Sequence, residues 1–245
     1  MKTRDKIIYA SLELFNQHGE RAVTTNHIAA HLGISPGNLY YHFRNKEDII
    51  QSIFQEYICY MQESFIPASE DMSAAEFLHQ YCDQVFDSIW RFRFFHASMP
   101  DILLRDDNLH QQYLAVHKQL SKRAHTSLSR LKKEGVITID DSAIYDLIEL
   151  MRIVAGFWIT YWMANTRSET LSRSAVYQGV LKFIALISPY ATEYGKPTFD
   201  ALKASYEELK VNYEAQKTSH EDSVIKKAQN DKRSLIRRYD EYLGK

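Results

Sequence analysis

Thr24-Thr25-Asn26-His27-Ile28-Ala29-Ala30-His31-Leu32-Gly33-Ile34-Ser35-Pro36-Gly37-Asn38-Leu39-Tyr40-Tyr41-His42-Phe43 reads as two short helices joined by a tight turn. Thr24 or Thr25 can cap the first helix, whose inward residues are Ile28, Ala29 and Leu32. Gly33 takes the turn, Ile34 plugs the joint, and Ser35 with Pro36 supplies the next N-cap and first helical position. Leu39 and Phe43 anchor the very short second helix. Ala29 is small where the two helices cross closely, as a helix-turn-helix requires. The outer face of the second helix then holds Ser35, Pro36, Gly37, Asn38, Tyr40, Tyr41 and His42. These short hydrogen-bonding groups and aromatic hydroxyls, with little long charge, suit close approach to base edges and a grip on phosphates.

On the N-terminal side, residues 4–18 place Ile7, Ile8, Ala10, Leu12, Leu14 and Phe15 at helical spacing, with Gly19 following as a C-cap. On the other side, Asn45 caps a long helix that runs through Ile49, Ile50, Ile53, Phe54 and Tyr57 to about Phe65. Beyond Pro67–Ser73 the spacing predicts helices over about 74–92, 94–104, 107–134, 141–165 and 170–190. Pro100 is expected to kink or end its helix and Gly135 to cap the one before it. No alternating pattern exceeds Val136–Ile139. From Thr198 the chain turns polar, and Leu202, Tyr206, Leu209 and Tyr213 mark a seam. Gln216 and His220 break it before Ile225, Ala228, Leu235, Tyr239 and Tyr242 resume. Three units follow: a helix-turn-helix head at 1–47, a helical bundle at 48–195, and a polar helical extension at 196–245.

Composition points the same way. The 245 residues include only 8 Gly and 5 Pro, too few for the turns of an all-β fold, so the fold class is all-α. Cys59 and Cys82 have no partners at metal-ligand spacing, which predicts structural thiols and a reducing compartment. His27 and His31 lack a third ligand, so no metal is expected. The charged start lacks the apolar stretch of a secretory signal, and the longest apolar run, Ile153–Ala164, is short for a bilayer. The expectation is a cytoplasmic protein without a membrane partner. Net charge is −1, but residues 1–47 carry six Lys and Arg against four Asp and Glu, and the middle of the chain is acidic.

The first helix with Ala10, Leu14, Phe15 and Gly19, the pattern T-T-x-x-I-A-x-x-L-G-I-S-x-G-x-L-Y-x-H-F from Thr24 to Phe43, and Asn45-Lys46-Glu47-Asp48-Ile49 together resemble the TetR family of bacterial transcriptional regulators. Phe94-Phe95, Asp101–Leu104, Gly135–Ile137 and Phe157–Trp162 are similar to one broad subgroup of its regulatory domains. The resemblance implies that Thr25 binds phosphate and that Asn26 reaches a base or the backbone. It implies that Pro36, Gly37 and Asn38 lie deepest in the major groove, where Asn38 can pair with adenine and Pro36 touch a thymine methyl, and that Ser35 also belongs to the DNA-binding set. Tyr40, Tyr41 and His42 would contact backbone or flanking bases, and Lys46 a phosphate. Half-buried packing is the other reading of Tyr40 and His42, and a solvent-facing helix position that of Asn26. With small residues at Asn26 and Gly37, DNA shape carries more of the readout.

The resemblance also implies a homodimer built from the last two bundle helices, hence a palindromic double-stranded operator with recognition helices roughly 34–36 Å apart or somewhat more. The aromatic-rich middle predicts a pocket for a small hydrophobic or amphipathic effector. Its expected lining is Trp90, Phe94, Phe95, Met99, Tyr113, Phe157, Trp158 and Tyr161, with polar groups such as Arg91, Arg93, His96 or Arg152; ordinary core packing is the other reading of each aromatic. No cofactor is expected. The functional expectation is a repressor released by that effector; the alternative is a DNA-bound structural or recruiting factor acting through its C-terminal tail. No H-E-x-x-H, glycine-rich phosphate loop or G-x-S-x-G is present, so the chain is not expected to be an enzyme.

Overall fold

The computed structural model describes residues 2–66, 69, 71–166 and 171–216. Its first helices are α1 (Thr3–His18), α2 (Thr25–Leu32) and α3 (Pro36–His42), and single residues set their ends. The Thr24 hydroxyl accepts the His27 N–H while the His27 ring accepts the Thr24 N–H, so two otherwise orphaned donors are satisfied at the start of α2. Gly33 ends α2 at φ 65°, in the left-handed region that a side chain would strain, and donates its N–H back to the Ala29 and Ala30 carbonyls. Ser35 accepts the Asn38 N–H at 3.2 Å, with Pro36 opening α3. Ile7, Phe15, Ile28 and Leu39 meet in the centre, each at most 1 % exposed. Burial of a side chain of this size stabilises the fold by about 1.5–3 kcal/mol.

Asn45 caps α4 (Lys46–Glu63), which carries Ile49, Ile53, Phe54 and Tyr57 out of the head and into the rest of the core. There follow α5 (Ala74–Arg91), α6 (Arg93–Arg105), α7 (Asp107–Lys133), α8 (Asp141–Thr166), α9 (Arg173–Ile187) and a 3-10 turn, Ser188–Tyr190. Residues 196–216 form a further helix, α10. Among the described residues there is no strand, only a single bridge between Ile137 and Ala191 that closes the α7–α8 loop onto the end of α9. Nor is any helix there long and apolar enough to cross a membrane.

Pro100 does not end its helix: α6 continues to Arg105. A proline at 100 removes the N–H that would bond the His96 carbonyl one turn back. The Thr160 hydroxyl of α8 donates to that carbonyl instead, at 3.3 Å. Two helices are thereby linked where one helix has a gap.

α8 and α9 approach closely because Gly179 has no side chain. A Cβ there would sit 2.5 Å from the Trp158 ring, and Trp158 lies across this notch with its indole N–H donating to the Ala175 carbonyl at 2.7 Å. α10 docks on the same layer. Phe199, Leu202 and Tyr206 are 2, 1 and 1 % exposed, and the Tyr206 hydroxyl donates to Asp83 of α5 at 2.5 Å. The start of the polar extension is therefore part of the bundle. The second stretch of its seam, from Ile225 to Tyr242, lies outside the described residues, as does His220.

Candidate nucleic-acid interface and ligand cavity

The cap at Ser35 and the anchors Leu39 and Phe43 fix the rotation of α3, so that Pro36, Gly37, Asn38, Tyr40 and Tyr41 all face outward and are exposed. Tyr41 is 85 % exposed and packs edge-on against the half-buried His42 ring. Asn26 is exposed on α2. The Tyr40 hydroxyl lies 3.0 Å from the Thr25 hydroxyl, which pins the recognition helix to the start of α2 and leaves both groups at the surface. Ser35 spends its acceptor on the cap.

Lys46 is placed differently from expectation. Its ammonium is turned inward, 2.9 Å from the Glu20 carboxylate and donating to the Glu20 carbonyl at 3.0 Å. Arg44 is not singled out by the sequence, yet its side chain is 90 % exposed just beyond α3 and pairs with Asp48 at 3.2 Å. The signal available was a lone cation immediately after the recognition helix. His27 completes the α2 cap.

Asn16 joins the head to the bundle with both ends of its amide. Nδ2 donates to the Arg91 carbonyl at 2.8 Å, and Oδ1 accepts the Phe94 N–H at 3.0 Å. It thus brackets the α5–α6 junction from the last turn of α1. Phe15 packs on Phe94 beside it, centroids 5.3 Å apart, and an Arg21–Asp101 ion pair adds a contact further along α6.

Behind α6, a narrow cavity of about 80 Å³ lies between α4, α5, α7, α8 and α9. Apolar side chains such as Met61, Val85, Ile148 and Met151 make most of its wall. His96, Tyr57, His117 and Arg152 are among its polar groups, with Ser88 and Ser121. The Tyr57 hydroxyl meets His117 Nε2 at 2.9 Å. His96 is 3 % exposed, and neither ring nitrogen completes a hydrogen bond. Burial holds His96 neutral, its pKa pushed down to about 4 against a smaller upward pull from the nearby Gly156 and Ser88 carbonyls. Burial, then the charge of Arg152, lowers His117 to about 3.

Of the polar groups expected in a pocket, His96 and Arg152 line this cavity, whereas Arg91 and Arg93 do not. None of the eight expected lining residues does. Trp90 faces the Arg93 and Arg173 guanidinium groups. Phe94 packs on α1, and Phe95 on Phe54 and Tyr57. Met99 is in the core, Tyr113 stacks outside His117 with centroids 4.0 Å apart, and Trp158 is clamped on α9. Phe157 and Tyr161 point outward, 45 and 61 % exposed. The cavity's own markers are the small residues Ala155 and Gly156 beside Arg152. A Cβ at Gly156 would meet nothing within 4 Å.

Residues 7–53 match the family described as bacterial regulatory proteins, tetR family, and residues 56–199 match a second TetR profile described as bacterial transcriptional repressor. The chain belongs to the TetR family: it is a DNA-binding transcriptional regulator and not an enzyme. A TetR-family regulator of Marinobacter aquaeolei with a known crystal structure is 39 % identical. It superposes with a TM-score of 0.73 over 84 % of this chain and 99 % of its own. The negative regulator IcaR of the biofilm operon icaADBC of Staphylococcus epidermidis is 26 % identical over 142 residues, 56 % of this chain and 77 % of that protein. The regulator QacR of Staphylococcus aureus is 43 % identical over 53 residues, 22 % of this chain and 28 % of its own.

Proposed function

We propose that this regulator is a repressor that holds a palindromic operator as a homodimer and releases it when a small hydrophobic or amphipathic effector enters the cavity. The observation that carries this reading is the Asn16 bracket: the helix it grips, α6, contributes His96 to the cavity wall, so a shift of α6 on ligand entry is passed to α1. In this reading Asn38 and Pro36 read bases, with Gly37 allowing close approach. Thr25, Asn26, Ser35, Tyr40, Tyr41 and His42 contact backbone or flanking positions. Arg44 takes the phosphate contact, and Lys46 keeps the head in register. Residues 1–47 act as the DNA-binding unit, 48–195 as the regulatory and dimerisation unit, and 196–245 as an extension whose start reinforces the latter.

Dimerisation is supported by Leu150, Ile153, Phe157 and Tyr161, which leave an apolar row on the outer side of α8 at 49, 50, 45 and 61 % exposure. The test is selection of fragmented genomic DNA on the purified protein at near-physiological salt, followed by footprinting. A few palindromic sites near promoters are expected, and no enrichment over random DNA would overturn the reading.

A further inference from the structure

Two further spaces share walls with the cavity. Ser121, Ile148 and Arg152 of its wall also border a surface groove between α7 and α8, whose other sides carry Lys118, Lys122, His125 and Glu149. At the inner end Tyr81, Ala124, Met151 and Phe183 are shared with a second apolar pocket that reaches Phe77, Leu128 and Ile187. A basic groove, a cavity carrying His96 and the Tyr57–His117 pair, and an apolar inner pocket are thus separated only by shared side chains. Lys118, Lys122 and Arg152 are exposed and form no ion pair with any described residue, and Glu149 is the one acid on the groove wall.

We infer that the effector is a chain-like anionic amphiphile, its extended apolar tail running through the cavity to the inner pocket and its anionic head held at the groove by Arg152, Lys118 and Lys122. This rests on the effector reading of the cavity. A compact apolar molecule uses neither the cations at one end nor the dry extension at the other, and a cationic head meets three positive side chains. The resting volumes, about 80 Å³ for the cavity and about 20 Å³ for the inner pocket, are too small for such a tail. Its entry therefore separates the helices around it, which is the differential affinity for a second state that release from DNA requires.

Calorimetric titration of the full chain with dodecanoate, dodecyl phosphate, dodecanol and dodecyltrimethylammonium, all below their micellar concentrations, tests the assignment. The two anions are expected to bind about tenfold or more tightly than the alcohol, and the cation weakest of all. Arg152→Gln is expected to weaken both anions about fivefold and leave the alcohol unchanged. Gly156→Leu, which fills open space in the wall, is expected to abolish binding of all the probes while the helical circular dichroism stays intact. Equal affinity for alcohol and anions, unchanged by Arg152→Gln, overturns the charged head and leaves the effector cavity standing. Undiminished binding to a folded Gly156→Leu protein overturns both. No binding by any of the four overturns the amphiphile, and the effector reading is then judged by operator release alone.

Discussion

The Glu20 carboxylate, 2 % exposed, lies 2.9 Å from the Lys46 ammonium and 3.6 Å from the Arg105 guanidinium. One buried acid between α1 and α2 thereby ties the head to the start of α4 and the end of α6. Taking a carboxylate out of water is costly, and the penalty is offset only while its cations stay in place.

Lys46→Met is therefore expected to destabilise the protein by about 3–5 kcal/mol, the usual cost of leaving a buried charge without its partner. Glu20→Gln in the same background should recover much of that loss. Denaturant unfolding of the single and double variants measures this. A Lys46→Met protein as stable as the parent would show that Arg105 alone suffices.

In the proposed reading, Arg44 positions the protein on DNA and Asn38 reads a base. Arg44→Ala is expected to weaken binding to all duplexes alike and to lower the slope of log affinity against log salt by about 1. Asn38→Ala is expected to cost about 1–3 kcal/mol at one base pair and leave the salt slope unchanged. Equal loss on specific and random DNA for both variants would contradict these assignments.

Gly179→Ala drives a methyl group into the Trp158 ring and is expected to destabilise the α8–α9 pair by about 1–3 kcal/mol. Trp158→Phe loses the bond to the Ala175 carbonyl but makes room, so the double variant should be less destabilised than the sum of the singles. Additive thermal shifts would count against the notch.

Acid should weaken the fold through the cavity histidines. Both have native pKa values depressed by burial, about 4 for His96 and about 3 for His117, whereas the unfolded chain titrates near 6.5. Between pH 6.5 and 4 the unfolded state binds more protons, so stability falls with falling pH by up to about 1.4 kcal/mol per unit for each histidine. The loss levels off below the native values. His117→Gln should flatten the dependence when unfolding midpoints at pH 7 and pH 5 are compared, and a parent protein indifferent to pH over that interval would contradict it.

Much of the head was legible in its sequence because its ends are decided locally: Thr24, Gly33, Ser35 and Asn45 each act within a turn of their own position. The cavity was not legible, because aromatic residues at helical spacing reveal a buried face without revealing the neighbour. Trp158 is claimed by Gly179, Phe95 by Tyr57, and Phe157 by none of the described residues' core. Small residues, Ala155 and Gly156, mark the space. At Pro100 the sequence predicts a kink or an end, and the carbonyl left unpaired there is taken by a hydroxyl 60 residues downstream, a contact that only tertiary structure creates. Charge density set α10 apart, although Phe199, Leu202 and Tyr206 fall on one helical face and fix its docking. The inward turn of Lys46 is not legible for a similar reason: its partner, Glu20, is close in space but distant in the chain.

Asn16 also bears on protein engineering. A head transplanted onto another bundle keeps its caps, its small core and its exposed recognition helix, yet its asparagine then faces a foreign helix junction. The two hydrogen bonds now given to Arg91 and Phe94 must find counterparts there, or the graft will bind DNA deaf to its new host's ligand. Chimeras cut after α6, which carry the α5–α6 junction along with the head, are the ones that should keep both hydrogen bonds.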